Sequence, residues 1–473
     1  MNKTNAISNG IIIWLLYTIV YCLLLVFEVK EPFRYFSICV YIQFIYTLFS
    51  WYKYTRCWFD SYIVFSIALY VFTLGHSFLD LFGAVTERFD LIRSWGIKES
   101  QYLNAVYLSL VFILWFHFGA ISGFRRIIKN DVVNDKFCDV KALKKVGLYG
   151  IILFLPFYLY SIIEKVQIII TYGYMGLYDE ANMAFGGVGA LIRLISDMYV
   201  PSIICMLVYS EVTKKNRAFW YLFSFITVCI PPFFIGARTN SVIMCGIIFL
   251  IYTLYNKISR KQVLIGAAIV YVFLFSLILL RNARQMQDAV EIADAVEQIQ
   301  GTEDSNPVSS MISEMGWSMY PVVKTIEIKG ASNEHFLYGS TILWGVTSVF
   351  PNLFWDVHPA KANANMSDWI TKKLNFTYGI GYSLVAEAYV NFGVFGFLFM
   401  YFLSMLFMKL FKYSCAINRR DVIPVVCSLI FLWFIIRIVR NNFLDTFRYL
   451  TFYVLPFYVI LRYYSRKYRN IKR

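Results

Sequence analysis

The chain has 473 residues, of which 59% are hydrophobic, 19% aromatic and only 15% charged, with a mean hydropathy of +0.59. A soluble domain carries about 25% charged residues, so this composition excludes one, together with a disordered chain and a disulfide-stapled scaffold. The net charge of +15 does not mark a nucleic-acid binder, because the basic residues sit in short loops between apolar runs, where they report membrane topology.

A membrane helix needs about 20 mostly apolar residues. In chain order the qualifying segments are 10–27, 35–52, 59–79, 104–124, 146–170, 187–210, 218–235, 239–255, 262–280, 383–408, 422–440 and 447–463. The expected fold is therefore all-α and polytopic, with twelve spans: nine in 1–280, a long external segment over 281–382, and three in 383–473 before a basic tail. No small-residue cleavage site follows the first span, so it reads as an anchor. No span repeats another, which gives an inverted-repeat transporter no support. The nine cysteines (Cys22, Cys39, Cys57, Cys138, Cys205, Cys229, Cys245, Cys415 and Cys427) lie mostly inside apolar runs and form no CxxC pair. Neither a redox motif nor a metal knuckle is indicated.

Lysine and arginine counts orient the chain. With the N-terminus inside, 26 of the 44 basic residues fall in inside loops or in the tail from Arg462 to Arg473, and seven of them lie between Arg125 and Lys145. The loop 171–186 holds none and falls outside. The expected topology is N-in, C-in.

The external segment carries eleven Asp/Glu and seven Lys/Arg residues. From Gln285 to Gln300 acidic and apolar residues alternate at helical spacing, as in an amphipathic extension of the ninth span. Gly301 to Pro307 reads as a turn. Met311–Ile328 and Tyr338–Phe354 are apolar but interrupted, and are expected to lie on, or re-enter, the outer membrane surface.

Seven arginines contradict the positive-inside pattern by collecting at the outer ends of spans. Arg238 fills the turn Gly236-Ala-Arg238. Arg281 and Arg284 open the external segment. Arg437, Arg440 and Arg448 flank the last external turn. Arg193 lies near the outer end of span six, four residues before Asp197, which is its expected ion-pair partner. Guanidinium groups grip phosphate oxygens bidentately, whereas lysine acts as a point charge. The zone therefore suggests a phosphorylated lipid head group, most simply a pyrophosphate. The competing reading for each arginine alone is snorkelling to ordinary lipid phosphates.

The run Tyr378-Gly-Ile-Gly-Tyr-Ser-Leu-Val-Ala-Glu-Ala-Tyr-Val-Asn-Phe-Gly-Val-Phe-Gly396 resembles a signature of bacterial O-antigen and capsule repeat-unit polymerases of the Wzy type. FFIGARTNS (233–241) and FLYGSTILWGVTSVFPNLFW (336–355) agree with that resemblance in order. It implies a GT-C-like glycosyltransferase of the bacterial inner membrane, active at its periplasmic face. Such enzymes join oligosaccharide repeats carried on undecaprenyl pyrophosphate. The growing chain is the donor and the incoming lipid-linked repeat is the acceptor. Membrane lipids are the surroundings and a separate chain-length regulator is a candidate partner. Neither cofactor nor metal is implied, and the sequence shows no DxD and no histidine pair at helical spacing.

Arginines would stabilise the charge growing on departing pyrophosphate, and a base should deprotonate the attacking hydroxyl. Candidate bases are Glu387, His335, His358, Asp356 and Glu314, with Glu387 and His335 foremost. Glu387 lies inside span ten, where a carboxylate is costly. Its alternative role is as a structural partner. Asn391, one turn later on the same face, could orient it. Trp344, Tyr338, Tyr378 and Asn391 are the expected sugar contacts, while Trp and Tyr also form ordinary interface belts. His76 and His117 read as core residues. The rival functions are an O-antigen ligase and a lipid-linked oligosaccharide flippase. The charges within spans (Glu164, Lys165, Arg193, Asp197, Glu387) cluster toward outer ends, which favours chemistry at one face over passage across.

Overall fold

The computed structural model describes residues 2–125, 136–173, 176, 187–235, 238–257, 259, 261–262, 266, 306–331, 334–350, 357–376, 379–415 and 421–472. Every longer regular element among them is a helix, and no strand occurs in these residues. In chain order they are α1 (Lys3–Val26), α2 (Pro32–Thr55), α3 (Ser61–Asp80), α4 (Glu99–Gly123), α5 (Lys136–Tyr172), α6 (Gly187–Asp197), α7 (Tyr199–Thr213), α8 (Arg217–Ser224), α9 (Ile230–Phe234) and α10 (Arg238–Tyr255). There follow α11 (Pro307–Gly316), α12 (Met319–Ala331), α13 (Ser340–Thr347), α14 (Pro359–Ala364), α15 (Met366–Lys373), α16 (Leu384–Phe392), α17 (Gly396–Phe411), α18 (Val422–Ile435), α19 (Thr446–Tyr449) and α20 (Leu455–Lys472).

Seven stretches among the described residues are long and apolar enough to cross a membrane: Lys3–Val26, Ser61–Asp80, Glu99–Gly123, Phe137–Tyr172, Leu191–Thr213, Leu384–Ser414 and Val422–Val439. Each coincides with an expected span. The other expectations meet mixed ends. Segment 35–52 is helical as α2, but it buries Gln43, Thr47 and Ser50 and is correspondingly less apolar. Segment 218–235 is broken: a π turn at Phe225–Cys229 separates α8 from α9, where two prolines, Pro231 and Pro232, follow. Segment 239–255 falls short at Thr239–Tyr255. Another π turn, Leu450–Val454, joins α19 to α20. Apart from Gln262 and Gly266, segment 262–280 lies outside the described residues, as do the expected amphipathic helix at 285–300 and most of the turn at 301–307. The polytopic all-α class holds.

Burial orders the helices from core to rim. Within Val422–Val439, 94% of the residues are buried, whereas in Lys3–Val26 only Ala6, Gly10 and Tyr17 are. The α18 region is thus the centre of the bundle, while α1 presents Ile12, Leu15, Leu16 and Ile19 outward, as a lipid-facing helix should. Small residues permit the closest crossings. Gly119 and Gly123 of α4 lie against the backbone of α17, and a Cβ on Gly123 would sit 2.9 Å from the Met405 carbonyl oxygen. Gly75 of α3 meets Gly316 of α11, where a Cβ on Gly75 would stand 2.9 Å from the Gly316 Cα.

That second crossing brings the described stretch 306–331 into the bundle. There α11 packs along α3 and α12 packs against α4 and α16. Ser310, Ser313, Val322 and Thr325 are fully buried, and His76 Nε2 meets the Ser313 carbonyl oxygen at 2.7 Å. His117 bridges Ser50 Oγ at 2.7 Å and the Tyr62 hydroxyl at 2.6 Å. Both histidines are core residues.

Cys57 and Cys415 form a disulfide that ties the α2–α3 connection to the end of α17. Asp60 stands beside them, and the Sγ atoms and one of its oxygens lie within 4.8 Å of one another. Asp60 caps α3 through Ile63 N–H and accepts Trp51 Nε1–H, each at 2.9 Å. A search for CxxC spacing misses this pair, because 358 residues separate its members.

Candidate functional site

The turn at 440–446 links the buried α18 region to α19. The structure holds it on three sides. Tyr382 N–H donates to the Arg440 carbonyl oxygen at 3.0 Å. Asn442 Nδ2 donates to Asn365 Oδ1 at 2.8 Å. Phe443 N–H donates to Glu387 Oε2 at 2.6 Å. The other oxygen of Glu387, Oε1, accepts Thr341 Oγ1–H at 3.0 Å. The side chain of Asn391 completes the junction, donating to Thr341 Oγ1 and to the Glu387 carbonyl oxygen at 2.8 Å each and accepting Gly339 N–H at 3.1 Å. Glu387, Asn391 and Thr341 are each at most 1% exposed.

The sequence explains the junction. Glu387 and Asn391 stand four apart on α16, so both face the same neighbour. The chain opposite turns back through Tyr338 (φ 47°) and Gly339 (φ 84°), a left-handed pair in which only glycine is unstrained. That turn lets Leu337 N–H and Tyr338 N–H donate to the carbonyls of Val390 and Asn391 at 3.0 and 2.9 Å. It also starts α13 with Thr341 beside the carboxylate.

The turn so fixed carries Arg440 and Asp445 and is flanked by Arg437 and Arg448. Arg437 stacks over Trp433 and Phe434, its guanidinium carbon 4.9 and 5.6 Å from the ring centres. Its Nε is buried with no hydrogen-bond partner among the described residues. Phe434 also stacks on Tyr453 at 4.1 Å, and the Tyr453 hydroxyl donates to Asp197 Oδ2 at 3.1 Å. Asp197 ends α6, so the end of α6 and the Glu164 end of α5 are drawn in. Arg193 pairs with Glu164 of α5 at 3.7 Å; the i, i+4 partner expected from sequence, Asp197, instead receives Tyr453. Lys165 lies within electrostatic reach of Asp197, Arg193, Glu164 and Arg437. Asp445 lies within reach of Arg448, Arg437 and Asp197. Burial pushes the Asp445 carboxyl above its ordinary range, against the opposing pull of the two guanidinium groups. Four cationic and three acidic side chains from distant parts of the chain thus share one region.

The remaining candidates divide. Arg238 starts α10, but its side chain lies outside the described residues, as do Arg281, Arg284, Asp356 and Tyr378. Tyr338 is 75% and Trp344 41% exposed, so both rings are available to a ligand. His335 is exposed, and its carbonyl oxygen accepts Lys329 Nζ at 2.9 Å. Beside it Glu334 pairs with Lys373 and, at 3.3 Å, with Lys329. The hydrogen bond from Lys373, helped by Lys329, holds its carboxyl below the ordinary range. His358 is committed to local structure: Nδ1 accepts Ala360 N–H at 3.1 Å to cap α14, and Nε2 meets the Phe350 carbonyl oxygen at 2.9 Å. Sequence reading missed Thr341 and Asp445. Neither belongs to a residue type with a distinctive spacing, and only contact identifies them.

No curated protein and no solved structure matches the chain at a significant level. A model of the family described as O-antigen polysaccharide polymerase Wzy matches residues 10–470, nearly its whole length. Together with the polytopic helical fold, this shows that the chain belongs to the O-antigen polysaccharide polymerase Wzy family.

Proposed function

We propose that the protein polymerises undecaprenyl-pyrophosphate-linked oligosaccharide repeats at the periplasmic face of the inner membrane. In this reading it has twelve spans, a GT-C-like arrangement and both termini in the cytoplasm. Arg437 and Arg448, with Arg440, Arg238, Arg281 and Arg284 as further donors, grip the diphosphate of the growing chain. As the anomeric carbon–oxygen bond breaks, negative charge moves onto the diphosphate, and fixed guanidinium groups stabilise it without reorganising. The hydroxyl of the incoming repeat attacks the anomeric carbon. Tyr338 and Trp344, exposed beside α13, offer faces for sugar rings.

The single observation that carries this reading is the convergence of Arg437, Arg448, Arg193 and Lys165 beside one pinned turn. Glu387 and Asn391 act through that turn: every polar atom of both side chains is spent on Phe443, Thr341, Gly339 and the Glu387 backbone. They are positioning residues. Asp445, a carboxyl within reach of Arg437 and Arg448, is a further candidate to accept the hydroxyl proton.

The test is purified protein with lipid-linked repeat. A ladder of lengthened products supports polymerisation. Transfer of single repeats to a lipid A core acceptor, or movement of intact substrate across a vesicle, would replace it with ligation or transport.

A further inference from the structure

At the end of the molecule opposite the arginine turn, α5 starts with a basic stretch and α20 crosses it. Asp139 is 1% exposed and accepts from Ser465 Oγ and, at 3.2 Å, from Arg469 Nη2. This clamp fixes the two helices together and spends the Asp139 carboxylate internally. Beside the clamp lies a cavity of about 400 Å³ lined by Lys141, Lys144, Lys145, Leu148, Tyr149 and Tyr468. Among the described residues its lining has three cations and no acid. Lys145 is steered by two rings, its Nζ lying 4.7 Å from the Tyr464 ring centre and 5.5 Å from that of Tyr149.

What distinguishes this pocket from an ordinary basic loop is the surface that continues from it. Along the same face of α5, one and two turns beyond the lysines, Leu148, Tyr149, Ile152 and Leu153 are 37%, 57%, 64% and 59% exposed. A soluble anion needs only the cations. A molecule that is both anionic and acylated uses the cations and the apolar strip together, with the tyrosines at the boundary between them.

We infer that this pocket binds an anionic phospholipid, its phosphates among Lys141, Lys144 and Lys145 and its acyl chains along Leu148 to Leu153. The site is separate from the diphosphate grip and does not depend on it.

The experiment titrates diphosphatidylglycerol into the full-length protein in neutral detergent and counts bound lipid by native mass spectrometry. Parallel arms use phosphatidylethanolamine and inorganic phosphate. The combined variant Lys141→Gln, Lys144→Gln, Lys145→Gln should bind diphosphatidylglycerol weaker on the order of tenfold or more, since each basic group near an anionic surface adds to the attraction. A control variant, Lys53→Gln, Lys215→Gln, Lys257→Gln, removes three lysines from other basic loops and should bind like the parent. Should the triple variant fail to fold, Lys144→Gln alone, at an exposed position, should show a smaller loss. Unchanged binding in the pocket variants, equal loss in the control, or displacement of the lipid by inorganic phosphate would each overturn the inference.

Discussion

The carboxylate of Glu387 holds the backbone of Phe443 at 2.6 Å. Two residues beyond Phe443 lies Asp445, and five beyond lies Arg448. A group buried in one helix thereby sets the position of charged groups on a turn 56 residues away in sequence. Glu387→Ala leaves the Phe443 N–H unpaired, at a cost of about 1–3 kcal/mol. Polymerisation should fall by about ten- to a hundredfold if that strain is relieved by moving the turn. Glu387→Gln can still present an oxygen to Phe443 and should keep most activity, with an unchanged pH profile. A base would show the opposite pattern, losing all activity in the Gln variant.

Asp445 gives a pH-dependent prediction. Burial raises its carboxyl above the ordinary range, so ionising it costs more in the folded protein than in the unfolded chain. Asp445→Asn should therefore melt higher than the parent at neutral pH, and the difference should vanish as acid protonates the parent carboxyl. Activity should fall in the same variant, the pattern expected when a site holds a destabilised charge for use. Thermal melts in detergent at several pH values, beside ladder assays, measure both.

Gly123→Leu should reduce the yield of folded protein. Its side chain would collide with the Met405 backbone, where even a Cβ has 2.9 Å, and overpacking costs about 1–3 kcal/mol when neighbours can shift. Gly246→Ala, with nothing within 4 Å of an added Cβ, is the matched control. Size-exclusion profiles after solubilisation report the outcome.

The cysteine pair reads sidedness. Cys57 and Cys415 share their end of the bundle with Lys53, Arg56 and Lys412, which the charge rule places inside the cell. Cytoplasmic thiols stay reduced, so thiol trapping in growing cells should find both free, with the bond forming in air after lysis. A pair already oxidised in growing cells would reverse the topology.

Much of the fold was legible because hydropathy and charge are local properties: a run such as 422–440 declares itself without any knowledge of neighbours. The polar connections were not. The arginines stood out because they violated a rule, yet their partners could not be named. Sequence spacing paired Arg193 with Asp197, but the bend after α6 turns Asp197 toward Tyr453 and leaves Glu164, from a different helix, to meet the arginine. Glu387 was conspicuous as a charge in a span. Only the approach of Thr341 and Phe443 shows that each of its oxygens accepts a hydrogen bond from a distant part of the chain. An apolar but interrupted piece such as Met311–Ile328 gives no sign in its composition that residues such as Ser313, Val322 and Thr325 are buried against neighbouring helices.

The most direct measurement is the affinity of the purified protein for undecaprenyl pyrophosphate against undecaprenyl monophosphate, for the parent and for Arg437→Ala, Arg437→Lys and Arg448→Ala. A guanidinium grip on diphosphate predicts tighter binding of the diphosphate by the parent. That preference should be lost on the order of tenfold or more in each variant, Arg437→Lys included, because an ammonium cannot replace the bidentate fork. Equal affinity for the two lipids in the parent, or variants that keep its preference, would contradict it.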